Sequence, residues 1–241
     1  MIIDVIWLGR MAKKNNEQKR QKKLAKQRQK AKRKAESAAK KNRSLPYLPD
    51  DPQKCAEFVL NHKKLTTPRE IDDAVRQFCA SINPDFEPVL LEIEPEKWCR
   101  QSCCDLNVEK LSEEIGGRKL CGYKIWYHEP FYIEAERHAV HQSDDGALRD
   151  PTFTADGENR ILFVADVSEL SEQLDQNVDK KRAAIDDRLK TMVRQLNDHE
   201  RRATIKKMSP AQSWSSMITY EDWLAGERQQ TLRVINRHSA E

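Results

Sequence analysis

Residues 131–152, FYIEAERHAVHQSDDGALRDPT, decide how this chain folds. Phe131 to His141, rich in aromatic, branched and alternating residues, reads as a strand, and Ala147 to Asp150 reads as a second. Between them Asp144-Asp145-Gly146 supplies turn chemistry: carboxylates that bond their own backbone and a glycine free to take positive φ. The two strands are therefore antiparallel neighbours. His138 and Asp150 fall on adjacent strands, close enough for their side chains to meet.

Upstream of this hairpin, Leu106 to Ile115 has helical periodicity and stops at Gly116-Gly117, a helix C-terminal signal. Cys103 and Cys104 stand just before it. Lys119 to Tyr127 and Arg160 to Val164 read as further strands, with turns at Pro130 and Asp156-Gly157. Glu87 to Glu94, with Val89, Leu90, Leu91 and Ile93, is another. Two helices precede the sheet. Residues 52–62 present Ala56, Val59 and Leu60; the next helix starts with Thr67 as N-cap, Pro68 in the first turn and Glu70 closing a capping box, ahead of Ile71, Ala74, Val75 and Phe78. From Ser168 to Lys207 the spacing of Leu170, Leu174, Val178, Ile185, Leu189, Met192 and Leu196 predicts a long charged helix, broken at Ser209-Pro210. Tyr220 to His238 predicts a final amphipathic helix with Trp223, Leu224, Leu232, Val234 and Ile235. A helical lead-in, a cysteine-bearing helix, a small antiparallel sheet and long C-terminal helices make the class α+β.

The 241 residues have room for one ordinary domain and accessory segments. With 34% charged residues and a mean hydropathy of −0.86, part of the chain is expected outside the core. Charge is unevenly divided. Residues 11–43 carry fifteen Lys and Arg against Glu17 and Glu36, and the whole chain is only +4, so the remainder from Ser44 onward is acidic by about nine charges. Three parts follow: a basic arm over 1–43, a domain over 44–167 entered through the proline-rich stretch 44–52, and a helical extension over 168–241. The arm has no apolar stripe, so a helix there would be solvated or formed on a partner. Its Lys13, Lys14, Lys19, Arg20, Lys22, Lys23, Arg28, Lys32, Arg33 and Lys34 suit the phosphates of RNA or a ribosome, or serve only as a solubilising tail. Without interleaved aromatic residues they would read no base sequence.

Six cysteines in a chain of this length do not make the dense framework of a secreted disulfide protein. Met1 to Gly9 is apolar but lacks the basic lead and cleavage site of a signal peptide, and nothing reaches the length of a membrane span. A reducing cytoplasm and no membrane contact are the expectation. Met11-Ala12-Lys13-Lys14 also reads like a start of its own. No glycine-rich phosphate loop is present, which argues against nucleotide-dependent chemistry, and no cofactor is expected.

A thiol nucleophile needs a base to take its proton and a third group to orient that base. Cys104 at a helix start is exposed to free backbone N–H groups and the positive end of the helix dipole, which favour a thiolate and an oxyanion. His138 would be the base and Asp150 its orienting partner. Gln101 is a candidate oxyanion donor; Glu134 and Glu136 share the strand face of His138 and form either a polar cleft wall or a solvated face. Trp126 and Tyr123 suit a cleft wall or the core. Each residue also has a plainer alternative: Cys104 as an inert buried thiol, His138 as a satisfied strand histidine, Asp150 as the opening of an Asp-Pro turn. A third alternative gathers Cys99, Cys103, Cys104, Cys121, His138 and His141 around zinc. Their spacing does not form paired knuckles, and residues 138 and 141 of one strand point to opposite faces.

His138-Ala139-Val140 with Asp150-Pro151-Thr152 resembles the His-Ala-Trp and Asp-Pro-Thr elements of transglutaminase-like and papain-like thiol enzymes. The stretch from Trp98 to Arg160 is similar to a group of bacterial proteins carrying Cys-x-x-Asn-Val, Gly-Trp-x-Ile-Trp and Glu-Ala-Glu-x-His-Ala-Val-Trp. Here the matching residues are Cys104 with Asn107-Val108, Gly122 to Trp126, and Glu134 to Val140. The resemblance implies a papain-like core in which the cysteine helix packs on the sheet. It also implies Cys104 rather than Cys103 as nucleophile, because Asn107 follows Cys104 by three, and acyl transfer on a peptide or amide substrate. The chain departs from it in lacking a Gly-x-Cys-Trp block and in having His141 or Val140 where the resemblance leads one to expect Trp.

Overall fold

The computed structural model describes residues 23, 26, 47–61, 63–167, 180–202 and 209–229. The chain falls into two units, Met1–Leu48 and Pro49–Glu241. In the first, Lys23 and Lys26 are helical and exposed; the other residues expected of the basic arm lie outside the described ones.

The second unit begins with α1 (Pro52–Val59) and α2 (Asp73–Ile82), then β1 (Val89–Glu92) and α3 (Cys104–Ile115). The strands β2 (Arg118–His128), β3 (Tyr132–Gln142), β4 (Leu148–Arg149) and β5 (Arg160–Ala165) follow. After them come β6 (Lys181–Ala184), a 3-10 turn (Asp187–Leu189), α4 (Lys190–Arg202), α5 (Pro210–Ser216) and α6 (Tyr220–Leu224). One open, six-stranded sheet runs β1-β5-β2-β3-β4, with β6 also on β3, and its strand pairs are antiparallel. The helix bearing Cys104 packs against β2 and β3. The fold is α+β.

β2 and β3 are the spine, paired without interruption from Arg118↔Gln142 to His128↔Tyr132. A period of two sorts their side chains. Tyr123, Ile125, Ile133 and Ala135 join Leu162, Val164 and the apolar stripe of α2 (Val75, Phe78, Cys79, Ile82) in one core. Val140 faces the other way with Leu91, Ile161 and Phe163. At Gly122 a Cβ would stand 2.2 Å from the Val164 carbonyl and 2.6 Å from the Phe163 ring, so the close approach of β5 requires glycine there.

Several elements differ from the sequence expectation. α2 starts at Asp73, not in the Thr67 region, because the Asp72 carboxylate caps it by accepting from Val75 N–H at 2.8 Å. Thr67 is occupied elsewhere: its N–H and hydroxyl both donate to Glu158. The long helix expected over 168–207 is not formed as such. Within it Lys181–Ala184 is a strand on β3, and only Lys190–Arg202 is α-helix; residues 168–179 lie outside the described ones. The alternation is what wins: Ala183 and Ile185 pack on the α2 core while Arg182 turns to Glu134. The sheet thus draws a strand from what reads in sequence as a helical extension. The C-terminal helices are short, and α6 stops at Leu224 before Gly226, whose φ of +98° ends it. Leu232, Val234 and Ile235 lie outside the described residues. Ser209-Pro210 starts a helix: Ser209 caps α5 in a capping box with Gln212.

Candidate functional site

The approach to α3 is sharply bent. Ser102 sits at φ +58°, a left-handed conformation that costs a non-glycine residue about 1 kcal/mol. Beyond this bend Cys103 turns into the core, 2% exposed, while Cys104, the first residue of α3, stays half-buried. One side-chain amide fixes the bend. Asn107, one helical turn on and fully buried, accepts from Arg100 N–H at 2.8 Å and donates to Arg100 O at 2.8 Å. The same Nδ2 reaches Thr152 Oγ1 at 3.1 Å, tying the helix start to the chain beyond β4.

Thr152 N–H donates to Asp150 Oδ1 at 2.9 Å, and the main-chain oxygen of Asp150 accepts from Glu94 N–H at 2.8 Å. So held, the fully buried Asp150 turns Oδ2 toward His138 Nε2, 2.9 Å away. A carboxylate only accepts, so Nε2 carries the hydrogen. The other ring nitrogen takes no part in that bond. Burial of the imidazole opposes its charge. The Asp150 carboxylate, its hydrogen bond and the neighbouring Cys104 outweigh that and raise His138 from 6.5 to about 10. Burial pushes three other thiols up, Cys79 and Cys99 to about 12 and Cys103 to about 11.

Cys104 and His138 open onto a cleft of about 780 Å³. Gln101, Trp126, Glu134 and Glu136 line it as well, so the residues singled out in the sequence share one cavity, with Asp150 behind His138. Gln101 is fixed through its backbone, whose N–H donates to Ile218 O at 3.1 Å. Trp126 donates to Glu136 at 3.3 Å and carries Lys124 above its ring. Glu134 is not a solvated strand residue. It accepts from Tyr132 hydroxyl at 2.6 Å, Lys180 at 2.7 Å and Arg182 at 2.7 Å. Burial pushes its carboxyl up, but Lys180, Tyr132 and Arg182 together hold it below the ordinary carboxylate range.

The cleft also contains Lys180 and Phe153, which sequence reasoning missed. Neither stands in a local pattern; each reaches the cavity through a partner far away in the chain. Asn107 and Thr152 lie inside the quoted motifs but show their roles only in the hydrogen-bond network. The six zinc-candidate side chains do not converge. Among the described residues no three His, Cys, Asp or Glu are grouped to hold a metal ion. His141 instead places Nε2 2.7 Å from the Gly116 carbonyl, where it closes the end of α3. None of the six cysteines is in a disulfide, and no helix among the described residues is long and apolar enough to cross a membrane. No family model, curated protein or solved structure matches this chain.

Proposed function

We propose that this protein is a thiol acyl-transfer enzyme with a papain-like core, acting on a peptide or amide through Cys104, His138 and Asp150. One observation carries this: an imidazole bonded at Nε2 to a buried carboxylate and sharing the mouth of a cleft with a half-buried thiol. At neutral pH His138 is a cation, and in the proposed mechanism Cys104 reacts as the thiolate beside it. Sγ attacks the acyl carbon, and the other His138 N–H passes its proton to the departing amine, leaving a thioester. His138 then deprotonates water, or an incoming amine, which attacks the thioester and releases Cys104. Asp150 keeps the ring oriented and offsets its charge throughout. Six cysteines in the thiol form suit a reducing, cytoplasmic setting for such a nucleophile.

The test is site-resolved alkylation by iodoacetamide, followed by assay of amine or ammonia release from a panel of peptide and glutamine amides. Cys104 should label first, ahead of Cys55, Cys79, Cys99 and Cys103, and His138→Ala should slow it at pH 6. For any amide turned over, Cys104→Ala should abolish turnover and His138→Ala should reduce it by roughly 10²–10⁴-fold. Uniform labelling of the six thiols, unchanged by His138→Ala, would remove the nucleophile. The uneven charge of the chain favours a second, separate reading for residues 11–43, polyanion contact without catalysis.

A further inference from the structure

None of the described residues after Ser209 joins the sheet or lines the cleft. The segment nevertheless grips both cleft walls. On the Cys104 side it runs beside the loop that leads into α3. Gln101 N–H donates to Ile218 O at 3.1 Å, Tyr220 N–H to Cys99 O at 2.8 Å and Glu221 N–H to Lys97 O at 3.1 Å. Arg100 pairs antiparallel with Thr219 and donates from Nη1 to Met217 O at 2.5 Å. This loop belongs to no strand of the sheet, so the C-terminal segment serves as its strand-like partner. On the Asp150 side, the buried Phe153 packs on Tyr220 and Trp223, ring centroids 5.2 and 5.8 Å away. Tyr220 and Trp223 stack on each other at 5.9 Å, and Trp223 passes close to Gly157. The segment is internally stiff, with capping boxes at Ser209 and Thr219.

We infer, resting on the acyl-transfer reading, that Met217–Trp223 is a clamp that sets the separation of the two walls, with Tyr220 and Trp223 as positioning residues for the Cys104–His138 contact. The physical case is one of tolerance. Within the domain, the chain leading into α3 is tied to the chain carrying Asp150 and Phe153 upstream, where Glu94 N–H donates to Asp150 O and Arg149 donates to Glu94 O and Glu96, and again at Asn107, which reaches Thr152; the stretch 97–101 between these ties pairs with the C-terminal segment. A thiol and an imidazole must be held within hydrogen-bond reach, and a displacement of about 1 Å costs roughly 10²-fold in rate. The aromatic stack on one wall and the strand-like pairing on the other supply a further point of fixation, at the stretch that those bonds leave unheld. Trp223 contributes its ring alone: its Nε1 is buried without a hydrogen-bond partner.

The experiment uses the full chain and measures iodoacetamide alkylation of Cys104 at pH 6 and pH 9, with a thermal melt of each variant. Trp223→Ala should lower the pH 6 rate about tenfold and shift the pH 6 to pH 9 ratio toward that of His138→Ala, while the protein remains folded at the assay temperature. Trp223→Phe, which keeps the ring and sheds the unpaired N–H, should retain the parental rate and ratio. If Trp223→Ala melts too early, Tyr220→Leu replaces it; this keeps the backbone pairing, loses the stack on Phe153, and should move the ratio in the same direction. A folded Trp223→Ala or Tyr220→Leu variant with the parental ratio, beside a His138→Ala variant that is slowed, overturns the clamp and leaves the catalytic reading standing. A His138→Ala variant that labels like the parent overturns the catalytic reading, and the clamp with it.

Discussion

His138 makes pH a probe of the site. Its folded value of about 10 lies above the unfolded 6.5, so protonation favours the native state. That stabilisation is complete below about pH 6.5 and is lost as pH rises through about 10. Denaturant midpoints at pH 6, 8 and 10 should therefore fall over this window. Asp150→Asn removes the charge that holds the imidazolium, so it should flatten the fall and cost about 3 kcal/mol at pH 6, the order expected when a buried ion loses its partner. A parental slope in Asp150→Asn would mean that another group sustains the histidine. The pairing of His138 with Asp150 was legible in the sequence because a hairpin with an Asp-Gly turn fixes which residues become neighbours. Cys104 over Cys103 was what the resemblance implied, through the match of Cys104 and Asn107; the bend at Ser102 sends Cys103 inward and leaves Cys104 at the cleft. Glu134 was half legible: strand alternation gives its face, but Lys180 and Arg182 lie 46 and 48 residues away and leave no local trace.

Among the elements, β2 and β3 were readable almost to the residue, because aromatic and branched residues alternate along both. Gly122 tests how closely they are packed. It lies opposite His138 in the register, and a methyl group there would collide with the β5 backbone rather than with a flexible side chain. Gly122→Ala should destabilise by about 3 kcal/mol, at the upper end for overpacking, and should widen β2 from β5. A thermal shift of less than about 2 °C would show that β5 yields easily. The less legible elements share a cause. α2 was misplaced because Thr67, a sound cap by sequence, is taken by Glu158, which lies far along the chain. β6 was hidden in a helix-forming, charged stretch, since a strand of four residues is specified by the edge it pairs with, here Tyr132–Ala135. Its own composition says helix.

For the whole molecule, the division at Leu48/Pro49 leads to a direct comparison. A chain begun at Pro49 should melt within about 2 °C of the full-length protein, because surface changes away from packed groups stay within about 0.5 kcal/mol. Full-length protein should bind single-stranded RNA of mixed sequence at low salt, with affinity falling steeply as salt rises, and the shortened chain should not. Equal binding by both chains would move the interaction onto the acidic unit; loss of folding in the shorter one would make the arm part of the structure. The pairing of the Cys104 loop with the C-terminal segment has a consequence in time. Lys97 and its partner Glu221 are 124 residues apart, and Glu134 buries its carboxylate among cations made much later than itself. At a synthesis rate of about 5–20 residues per second, roughly 6–25 s pass between the two ends of that contact. The strands β1 to β5 can form meanwhile, but the loop before Cys104 waits for Met217–Trp223. Newly made protein therefore passes through a stage in which those strands are present and the surroundings of Cys104 are still unassembled, so on the acyl-transfer reading the chemistry begins only after that segment has been made.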